Sequence, residues 1–589
     1  MMTQRERFLA LLHNEPVDGF VNMYGCLGGL AGFLLGTPLS RIEPRIPGQT
    51  VVNGWGVTYE WPAGEPGAVP NTDPEHVVIK DIENWKKYVK TPDLHTEDSE
   101  WDNAREQARA IRAAGEHFVA PFFVPGNFEM THCLMPFEDC LANLLAYPDE
   151  MHELLDVITN WRIDQLEEYF KHVPEIDMVF AHDDWGSKIS TFMAPEVFHE
   201  FYTPRYKKIY QVAKDHGAIV VHHSDSYCTT LIDDMFEMNI DCWEGVLPSN
   251  DIHMLQKKLN DENREFILWG GLDSGVFDRD DSTEEEIRAH VQETIAKYFD
   301  GGHWIPSIND GLPIIIHQQN YAIIEDEIRN QEKIYFPDGK TFTNPVNKSY
   351  VAPSAAAEAA VEVKAEAAAA PADESDNTLA EIADAMTRGK SKIVKKLVPE
   401  ALEKGVDPQK ILDTLLSTMG VIGEKFKNNE VFVPEVLVSA RAMNAGTAIL
   451  KPYLAGEGAE NKGVAIIGTV QGDLHDIGKN LVRMMVEGKG IEVVDAGVDV
   501  SPEQFIDLIK EHNAKLVLLS ALLTTTMPAI PKTIEAIVEA GLRDQVKIMV
   551  GGAPITPEFA AEIGADAYTP DASSAANSAA ELMKFWNAL

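Results

Sequence analysis

The chain has 589 residues, too many for a single hydrophobic core, so about two to four domains are expected. Its formal net charge of −43 argues against a nucleic-acid partner and against binding to an anionic membrane surface, because both need basic patches. Five cysteines without a CxxC pair argue against a disulfide framework and a zinc ribbon. Together with a polar N-terminal stretch and no long apolar run, they predict a cytoplasmic protein.

Residues 1–348 alternate short apolar runs with amphipathic segments. Four of the runs are predicted to be buried strands that end on polar residues: 177–184, 218–225, 241–246 and 266–273. A helical pattern over residues 194–217 separates the first two. Repeated βα units of this kind predict an α/β fold, a TIM (β/α)8 barrel, which carries its chemistry at the carboxyl ends of its strands.

Histidines and carboxylates cluster at the predicted ends of these strands. Because the carboxyl ends of parallel strands share one face of a barrel, we expect these side chains to form one site. They are suited to act as general acids or to hold a metal such as zinc, for which His223 and Asp225 are the candidates. The alternative is a set of paired polar residues at the barrel mouth. The candidate catalytic residues are His182, Asp184, His223, Asp225 and Glu244, and Asp183 and His222 are further potential ligands.

A change of composition marks the end of this domain. Residues 349–376 are rich in Ala, Pro and Glu and have no core-forming apolar face, so they are predicted to be a linker. Residues 377–460 show helical periodicity without a strand pattern, and their first periodic stretch ends on Gly405. This region is predicted to be a small helical bundle.

Residues 461–589 carry the pattern of a doubly wound α/β domain. Five apolar runs, each followed by a helical segment, predict strands at 463–468, 491–496, 515–520, 546–552 and 565–569. This layout is flavodoxin-like (Rossmann-like in the broader sense), and such sheets bind ligands at the carboxyl ends of their strands.

The first of these strands is followed by a D-x-H-x-x-G motif at residues 473–478. Asp473 can fix the tautomer of His475 and raise its basicity, which a metal-bound imidazole requires. Gly478 opens the next helix, and its lack of a side chain permits a ligand to approach closely. The other strand ends are small or hydroxylic and predict a slot rather than a charged pocket.

Residues 377–589 resemble the cobalamin-binding module of methionine synthase and of corrinoid proteins in methanogens and acetogens. The resemblance rests on D-x-H-x-x-G, on SALLTTT at 520–526, on GGAP at 551–554 and on VIGEKFKNNEVFVPE at 421–435. It implies cobalamin as cofactor, with His475 as the lower axial ligand of cobalt. It further implies that a hydroxyl of Thr526 or Ser520 completes a relay with Asp473, and that the helical bundle caps the upper face. The implied cofactor-binding residues are Asp473, His475, Asp476, Gly478, Ser520, Leu522, Thr524, Thr526, Gly551 and Gly552.

The N-terminal domain resembles the uroporphyrinogen decarboxylase superfamily, beginning with TQRERFLALLHNEPVD at 3–18. Residues 21–36 lack the arginines with which the decarboxylase binds the carboxylates of its substrate, so that activity is not expected. The superfamily also contains methyltransferases, many of which hold zinc through an H-x-C pair and a later Cys. Asp225 stands here in place of the Cys of that pair and Ser307 in place of the later Cys, so a thiolate-rich zinc site is not expected.

The two resemblances together imply a corrinoid-dependent methyltransferase, a demethylase, in one chain. The expected reaction moves a methyl group from a small methylated donor, first of all a methoxylated aromatic compound, to Co(I) of the cobalamin. Methylation of a thiol such as coenzyme M and transfer from a halomethane are alternatives. A cobalamin carrier or sensor with an inactive barrel is an alternative of another class. The implied partners are the methylated substrate, a second methyltransferase that passes the group to tetrahydrofolate or a thiol, a reductive activase and a second copy of the chain.

Overall fold

The chain forms two compact units, one of residues 1–140 and 147–365 and the other of residues 141–146 and 366–589. The computed structural model describes residues 1–28, 33–34, 47–61, 68–71, 73, 75–277, 279, 281–308, 318–350, 374–428, 430–454, 463–473, 477–522, 526–552 and 554–587. Most of the predicted linker therefore lies outside the described residues. Each unit is considered by itself.

The first unit is organised around a sheet of six parallel strands. Their spatial order, β4-β5-β6-β7-β8-β9, follows the chain, as each βα unit of a TIM barrel requires. A parallel bridge between Phe33 and Ala120 lies outside the named strands. A separate antiparallel sheet of three short strands precedes them. The strands are β1 Thr50–Val52, β2 Thr58–Glu60, β3 Val69–Pro70, β4 Phe122–Phe123, β5 Met178–His182, β6 Ile219–His223, β7 Cys242–Val246, β8 Ile267–Leu272 and β9 Trp304–Ile308.

The four strands expected from the sequence correspond to β5, β6, β7 and β8. Every residue of β7 and β8 is buried, because a parallel sheet is covered on both of its faces. Helices run between the strands and pack outside them. They are α1 Gln4–Leu12, α2 Asp102–Ala114, α3 Asn127–Leu134, α4 Phe137–Ala146, α5 Pro148–His172, α6 Pro195–Phe201, α7 Thr203–Asp215, α8 Ile232–Glu237, α9 Ile252–Asp261, α10 Ser274–Phe277, α11 Glu284–Tyr298 and α12 Gln318–Tyr335.

The helical pattern over residues 194–217 forms two helices, α6 and α7, rather than one. The break is at Tyr202, two residues before Pro204. Pro204 has no backbone N–H to give to the carbonyl of Glu200, and its ring would collide with that carbonyl in a continuous helix. The chain therefore restarts, with Pro204 in the first turn of α7.

From residue 374 the second unit forms four helices, in the region predicted to be a helical bundle, and continues into a five-stranded parallel sheet. The strand order β11-β10-β12-β13-β14 is the flavodoxin-like order, with the reversal of strand order between β10 and β12. The helices are α13 Glu374–Thr387, α14 Ser391–Glu403, α15 Pro408–Lys427, α16 Val433–Leu454, α17 Ile477–Glu487, α18 Pro502–His512, α19 Ala529–Glu539, α20 Pro557–Glu562 and α21 Ala572–Asn587. The strands are β10 Val464–Thr469, β11 Glu492–Asp495, β12 Leu516–Ser520, β13 Lys547–Gly551 and β14 Ala567–Tyr568.

The hydrophobic core around this sheet explains why its strands are apolar runs in the sequence. Ile466, Val517 and Leu519 are buried and pack with Phe505 of α18 and Ile534 of α19. Among the residues that the structure describes, no helix has both the length and the apolar character needed to cross a bilayer.

The barrel sheet contains a glycine that we expect no other residue to replace. Gly270 has a φ of +149°, and a Cβ there would lie 2.6 Å from the backbone N and O of Val246. We expect Gly270→Ala to lower the free energy of unfolding by about 2–4 kcal/mol, because backbone strain and overpacking add. Urea unfolding followed by tryptophan fluorescence measures this, since Trp586 is the only one of 10 tryptophans beyond residue 348.

The matched control for this substitution is Gly217→Ala. Gly217 also has a positive φ, +72°, but its Cβ would meet nothing within 4 Å. The control should therefore cost only the strain of the left-handed conformation, about 1–2 kcal/mol. Equal losses in the two variants would show that the contact with Val246 adds nothing.

Candidate functional site

The barrel holds a cluster of two imidazoles and one carboxylate at the carboxyl ends of neighbouring strands. His182 ends β5, Asp184 follows it, and His223 ends β6; the two strands pair so that His182 and His223 are opposite each other. The two rings stack, with centroids 4.5 Å apart and planes inclined by 15°. One ligand atom from each of His182, Asp184 and His223 lies within 4.8 Å of the others.

His182 is held from one side by Glu129, a carboxylate in the first turn of α3. Its Nδ1 lies 3.1 Å from Oε1 of Glu129. Burial lowers the pKa of His182, but the charge and hydrogen bond of Glu129 outweigh it and raise the pKa to about 10. Burial raises the pKa of Glu129, and His182 in turn lowers it to about 2. The two groups form an ion pair through Nδ1 of the imidazole, and Nε2 takes no part in this contact.

His223 is held in the same way by Glu244 of β7. Nδ1 of His223 contacts Oε2 of Glu244, and the hydroxyl of Tyr24 donates to Oε1 of the same carboxylate at 2.7 Å. All three side chains are buried. A carboxylate on Nδ1 orients an imidazole and makes its other nitrogen the one that can bind a metal or exchange a proton.

A second layer beneath the cluster holds the strand ends in place. The carboxylate of Asp183 accepts the backbone N–H of Phe128 at 2.9 Å and that of Glu129 at 2.8 Å, and also the hydroxyl of Tyr206. Burial and the nearby charge of Glu129 raise the pKa of Asp183 to about 7. Burial holds the pKa of His222 well below its ordinary range, so that buried imidazole stays neutral. Both ring nitrogens of His222 are already engaged, Nδ1 by the hydroxyl of Tyr210 and Nε2 by the carbonyl oxygen of Asp183. Asp183 and His222 thus lie outside the three-residue cluster.

The predicted residues thus take different places. His182, Asp184 and His223 come together, while Glu244 acts through His223. Asp225 is outside the three-residue cluster, and its backbone N–H donates to Oδ1 of Asp184 at 3.0 Å. Ser307 is buried in β9, and its hydroxyl has no hydrogen-bond partner among the described residues.

Two residues of this site, Glu129 and Tyr24, are not among the residues predicted from the sequence. Glu129 follows β4, a strand of only two residues that is not among the predicted strands. Tyr24 lies before the sheet in a stretch without a strand or helix pattern. A carboxylate three residues after Gly126, at the capping position of α3, is the only local signal for Glu129.

The second candidate site lies at the carboxyl edge of the flavodoxin-like sheet. Asp473 follows β10 and is fully buried, and its Oδ2 accepts the hydroxyl of Thr526 and the backbone N–H of Leu522, both at 2.7 Å. The hydroxyl that partners Asp473 is thus that of Thr526, while Ser520 ends the adjacent strand β12.

Glycines leave room at this edge of the sheet. Gly478 is the second residue of α17, and a Cβ there would meet nothing within 4 Å. Gly551 ends β13, and Gly552 has a φ of +135° with its Cβ position 1.8 Å from the carbonyl oxygen of Ala521. Gly552 therefore has to be glycine for the backbones of the β12 and β13 ends to approach. The predicted His475, Asp476 and Thr524 lie outside the described residues.

These residues fit a corrinoid. A buried carboxylate, anchored by a hydroxyl and a backbone N–H, stands two positions before the imidazole of the motif, which is the support that a metal-bound imidazole needs. The open space at Gly478 lets a large planar group or its tail come close to the backbone of α17.

Comparison with known proteins gives a family match in each unit. Residues 463–577 and 378–451 match B12 binding domain families, and residues 50–330 match the uroporphyrinogen decarboxylase (URO-D) family. The dimethylamine corrinoid protein of Methanosarcina barkeri is 43% identical over 35% of this chain and 98% of its own length. The trimethylamine corrinoid protein 1 of Methanosarcina acetivorans is 40% identical over 33% of this chain and 91% of its own length.

Among solved structures, the methanol:cobalamin methyltransferase complex MtaBC from Methanosarcina barkeri matches with a TM-score of 0.33. It is 29% identical and covers 36% of this chain and 80% of that chain. The corrinoid relatives are matched over nearly their whole length, and the URO-D match lies entirely before the two B12-binding matches in the chain. The chain belongs to the family of corrinoid proteins, with cobalamin as its cofactor, and it carries a URO-D barrel and B12-binding domains together.

Proposed function

We propose that the barrel moves a methyl group from a small methylated donor, first of all a methoxylated aromatic compound, to the Co(I) form of the cobalamin bound by the same chain. The observation that carries this proposal is the cluster of His182, Asp184 and His223 at the carboxyl ends of β5 and β6, in a chain that also has a corrinoid module. The carboxyl ends of the strands are where TIM barrels place their chemistry.

The reaction needs activation of the leaving group. A methyl ether is inert until its oxygen is protonated or coordinated, because an alkoxide or phenoxide is otherwise a poor leaving group. Bound cobalamin supplies, as Co(I), the nucleophile that takes the methyl carbon. The task left to the barrel is to orient the donor and to stabilise negative charge on the departing oxygen.

The cluster supports two ways of doing this. His182 and His223 each have a carboxylate on Nδ1, so their Nε2 atoms, with a carboxylate oxygen of Asp184, offer two nitrogens and one oxygen to a divalent ion. Such an ion, with zinc as the first candidate, would act as a Lewis acid on the donor oxygen. Without an ion, the imidazolium of His182 is placed to give a proton to the same oxygen.

The chemistry of the cluster favours a donor-side reaction over methylation of a thiol. Activation of a thiol calls for soft thiolate ligands, and the cluster contains none. All five cysteines are buried and free, and burial raises the pKa of Cys133 and of Cys228 to about 12. Methylated amines are the second candidate donors, because the relatives of the corrinoid module are dimethylamine and trimethylamine corrinoid proteins.

The proposed reaction also needs partners. Returning the cobalt to Co(I) after each methyl transfer requires a second methyltransferase that takes the group on to tetrahydrofolate or a thiol. When Co(I) is oxidised accidentally, a reductive activase is required to reduce it again. The likeness to the trimethylamine and dimethylamine corrinoid proteins, matched over 91% to 98% of their length, supports such a system.

A donor screen tests the proposal. The full chain, loaded with cobalamin and reduced chemically to Co(I), is mixed in turn with methoxylated aromatic, methylamine, methylthio and halomethane compounds. We expect the Co(I) absorbance to disappear with one of these classes. Methyl iodide methylates Co(I) without an enzyme, so it is left out of the screen and serves as the positive control. Co(I) that persists with the tested donors of all four classes, while it reacts with methyl iodide, would contradict the proposal.

Metal analysis tests the first of the two modes of activation. Chelator-treated chain should take up about one Zn²⁺ in the barrel, and His182→Gln should abolish this uptake because it removes one of three ligands. His216→Gln is the matched control, since His216 pairs with Glu167 at 3.3 Å on the barrel surface, away from the cluster. Full activity of a zinc-free chain would instead favour the imidazolium of His182.

A further inference from the structure

Residues before and after His475 in the chain contact one short stretch at the end of the neighbouring strand, β11. We name this stretch, residues 495–499, the β11 end segment. It carries two carboxylates, Asp495 and Asp499, that have no place in the D-x-H-x-x-G motif. Each contacts the chain on a different side of residues 474–476, the stretch that includes His475.

The first tie lies before His475. The carboxylate of Asp499 accepts the backbone N–H of Gly472 at 2.7 Å, and the backbone N–H of Asp499 donates to the carbonyl oxygen of Asp473 at 2.9 Å. Asp499 has a φ of +51°, the left-handed conformation that aspartate tolerates better than most residues. One residue thus hydrogen-bonds to the backbone of two consecutive residues, Gly472 and Asp473, in the turn that leads into the motif.

The second tie lies after His475. The ammonium group of Lys479, whose side chain is only 3% exposed, donates to Oδ1 and Oδ2 of Asp495 at 2.6 Å and 2.7 Å. Arg483, one turn further along α17, approaches the same carboxylate at 3.4 Å. Two cations of α17 therefore converge on Asp495, and this contact fixes where the helix begins.

The β11 end segment is itself held rigidly against β10. The N–H of Ala496 donates to Ile467, the N–H of Thr469 donates to Gly497, and the N–H of Val500 donates to Thr469, at 2.7 to 3.0 Å. The Oδ1 atom of Asp495 also accepts the N–H of Gly497 at 2.9 Å. Both ties thus originate from a backbone that the parallel sheet already fixes.

We propose that Asp495 and Asp499 are positioning residues for His475, because they hold the described residues that precede and follow it in the chain, Gly472, Asp473 and Lys479. The inference rests on the proposed role of His475 as the lower axial ligand. A ligand carried by a short segment with two fixed ends loses little freedom on binding, which raises affinity without any new contact to the cofactor. Outer groups that orient a metal ligand commonly change metal affinity by about 10–100-fold.

The experiment removes each tie separately in the full chain. Asp499→Gly removes the carboxylate but keeps the left-handed backbone and its N–H, whereas Asp499→Asn keeps a side-chain oxygen for Gly472 and should rescue. Lys479→Met removes the cation and keeps the apolar stem. The matched controls are Asn513→Gly, at another left-handed residue of this unit with a φ of +47°, and Lys510→Met, at an exposed lysine of α18.

Three readouts are independent of enzyme activity. Cobalamin affinity is measured by absorbance titration, and urea unfolding without cobalamin reports damage to the fold. Axial ligation is measured by electron paramagnetic resonance of the Co(II) form bound to nitrogen-15-labelled protein. A labelled protein nitrogen on cobalt gives a doublet splitting, whereas the unlabelled base of cobalamin gives a triplet.

We expect Asp499→Gly and Lys479→Met to weaken cobalamin binding by about tenfold or more and to reduce the doublet fraction. Asp499→Asn and both controls should remain like the parent chain. Unchanged affinity and an unchanged doublet in both variants would overturn the inference, provided that His475→Ala abolishes the doublet. A doublet that survives His475→Ala, or is missing in the parent chain, would overturn the proposed ligand itself and this inference with it. A loss of binding matched by an equal loss of unfolding free energy in every variant, including Asp499→Asn, would also overturn it.

Discussion

Replacing His223 with glutamine should slow methyl transfer to Co(I) by about 10²–10⁴-fold, the range typical of loss of a general acid or of a group that activates the leaving atom. His223 lies at the end of β6, stacked on His182 and bound through Nδ1 to Glu244. Glutamine can still donate to Glu244, so the buried carboxylate keeps a partner, but its amide can neither ligate zinc well nor carry a proton. The measurement is the single-turnover rate of loss of Co(I) absorbance.

The same variant should bind cobalamin with unchanged affinity, since His223 belongs to the barrel unit. His216→Gln is the matched control, because it removes another carboxylate-paired imidazole from the barrel surface. It should leave the rate unchanged. A parent-like rate in His223→Gln would support the view that the barrel is inactive and the chain a cobalamin carrier or sensor.

Replacing Asp473 with asparagine should weaken cobalamin binding by about 10–100-fold. Asp473 is fully buried, and its Oδ2 accepts the hydroxyl of Thr526 and the N–H of Leu522. The amide oxygen of asparagine can accept both bonds, so the fold without cofactor should lose less than about 1 kcal/mol. What the substitution removes is the negative charge that raises the basicity of His475. Absorbance titration with cobalamin measures the effect.

Asp544→Asn is the control for this substitution, because Asp544 is an exposed carboxylate of the same unit. It should bind cobalamin like the parent chain. Parent-like binding by Asp473→Asn would mean that the carboxylate serves only as a hydrogen-bond acceptor. A loss of binding together with a large loss of unfolding free energy would mean that its role is structural.

Much of the fold follows from local pattern. β5, β6, β7 and β8 lie where apolar runs end on polar residues, and β10 to β14 follow the same logic in the second unit. Strands such as β7 and β8 are buried along their whole length, so they appear in the sequence as continuous apolar runs. β4, with only two residues, is not among the predicted strands.

The candidate sites were predictable to different degrees. The D-x-H-x-x-G motif places Asp473 and Gly478 at one strand end by spacing alone, and the structure adds Thr526 as the partner of Asp473. In the barrel, the sequence presents seven histidines and carboxylates at strand ends without ranking them. His182 and His222 look alike in the sequence, yet one is paired with Glu129 and the other is buried and neutral.

By itself the sequence determined the order of the domains, the parallel arrangement of the strands and the identity of the cofactor motif. Each of these depends on residues that are close together in the chain. Only the tertiary structure decided which polar residues form the barrel cluster and which support it. His182 acquires Glu129 from a different βα unit, and Asp473 acquires Thr526 from the end of β12, 53 residues away. Hydrogen bonds and charge act over a few ångströms of space, so the role of a side chain depends on neighbours that its local sequence does not name.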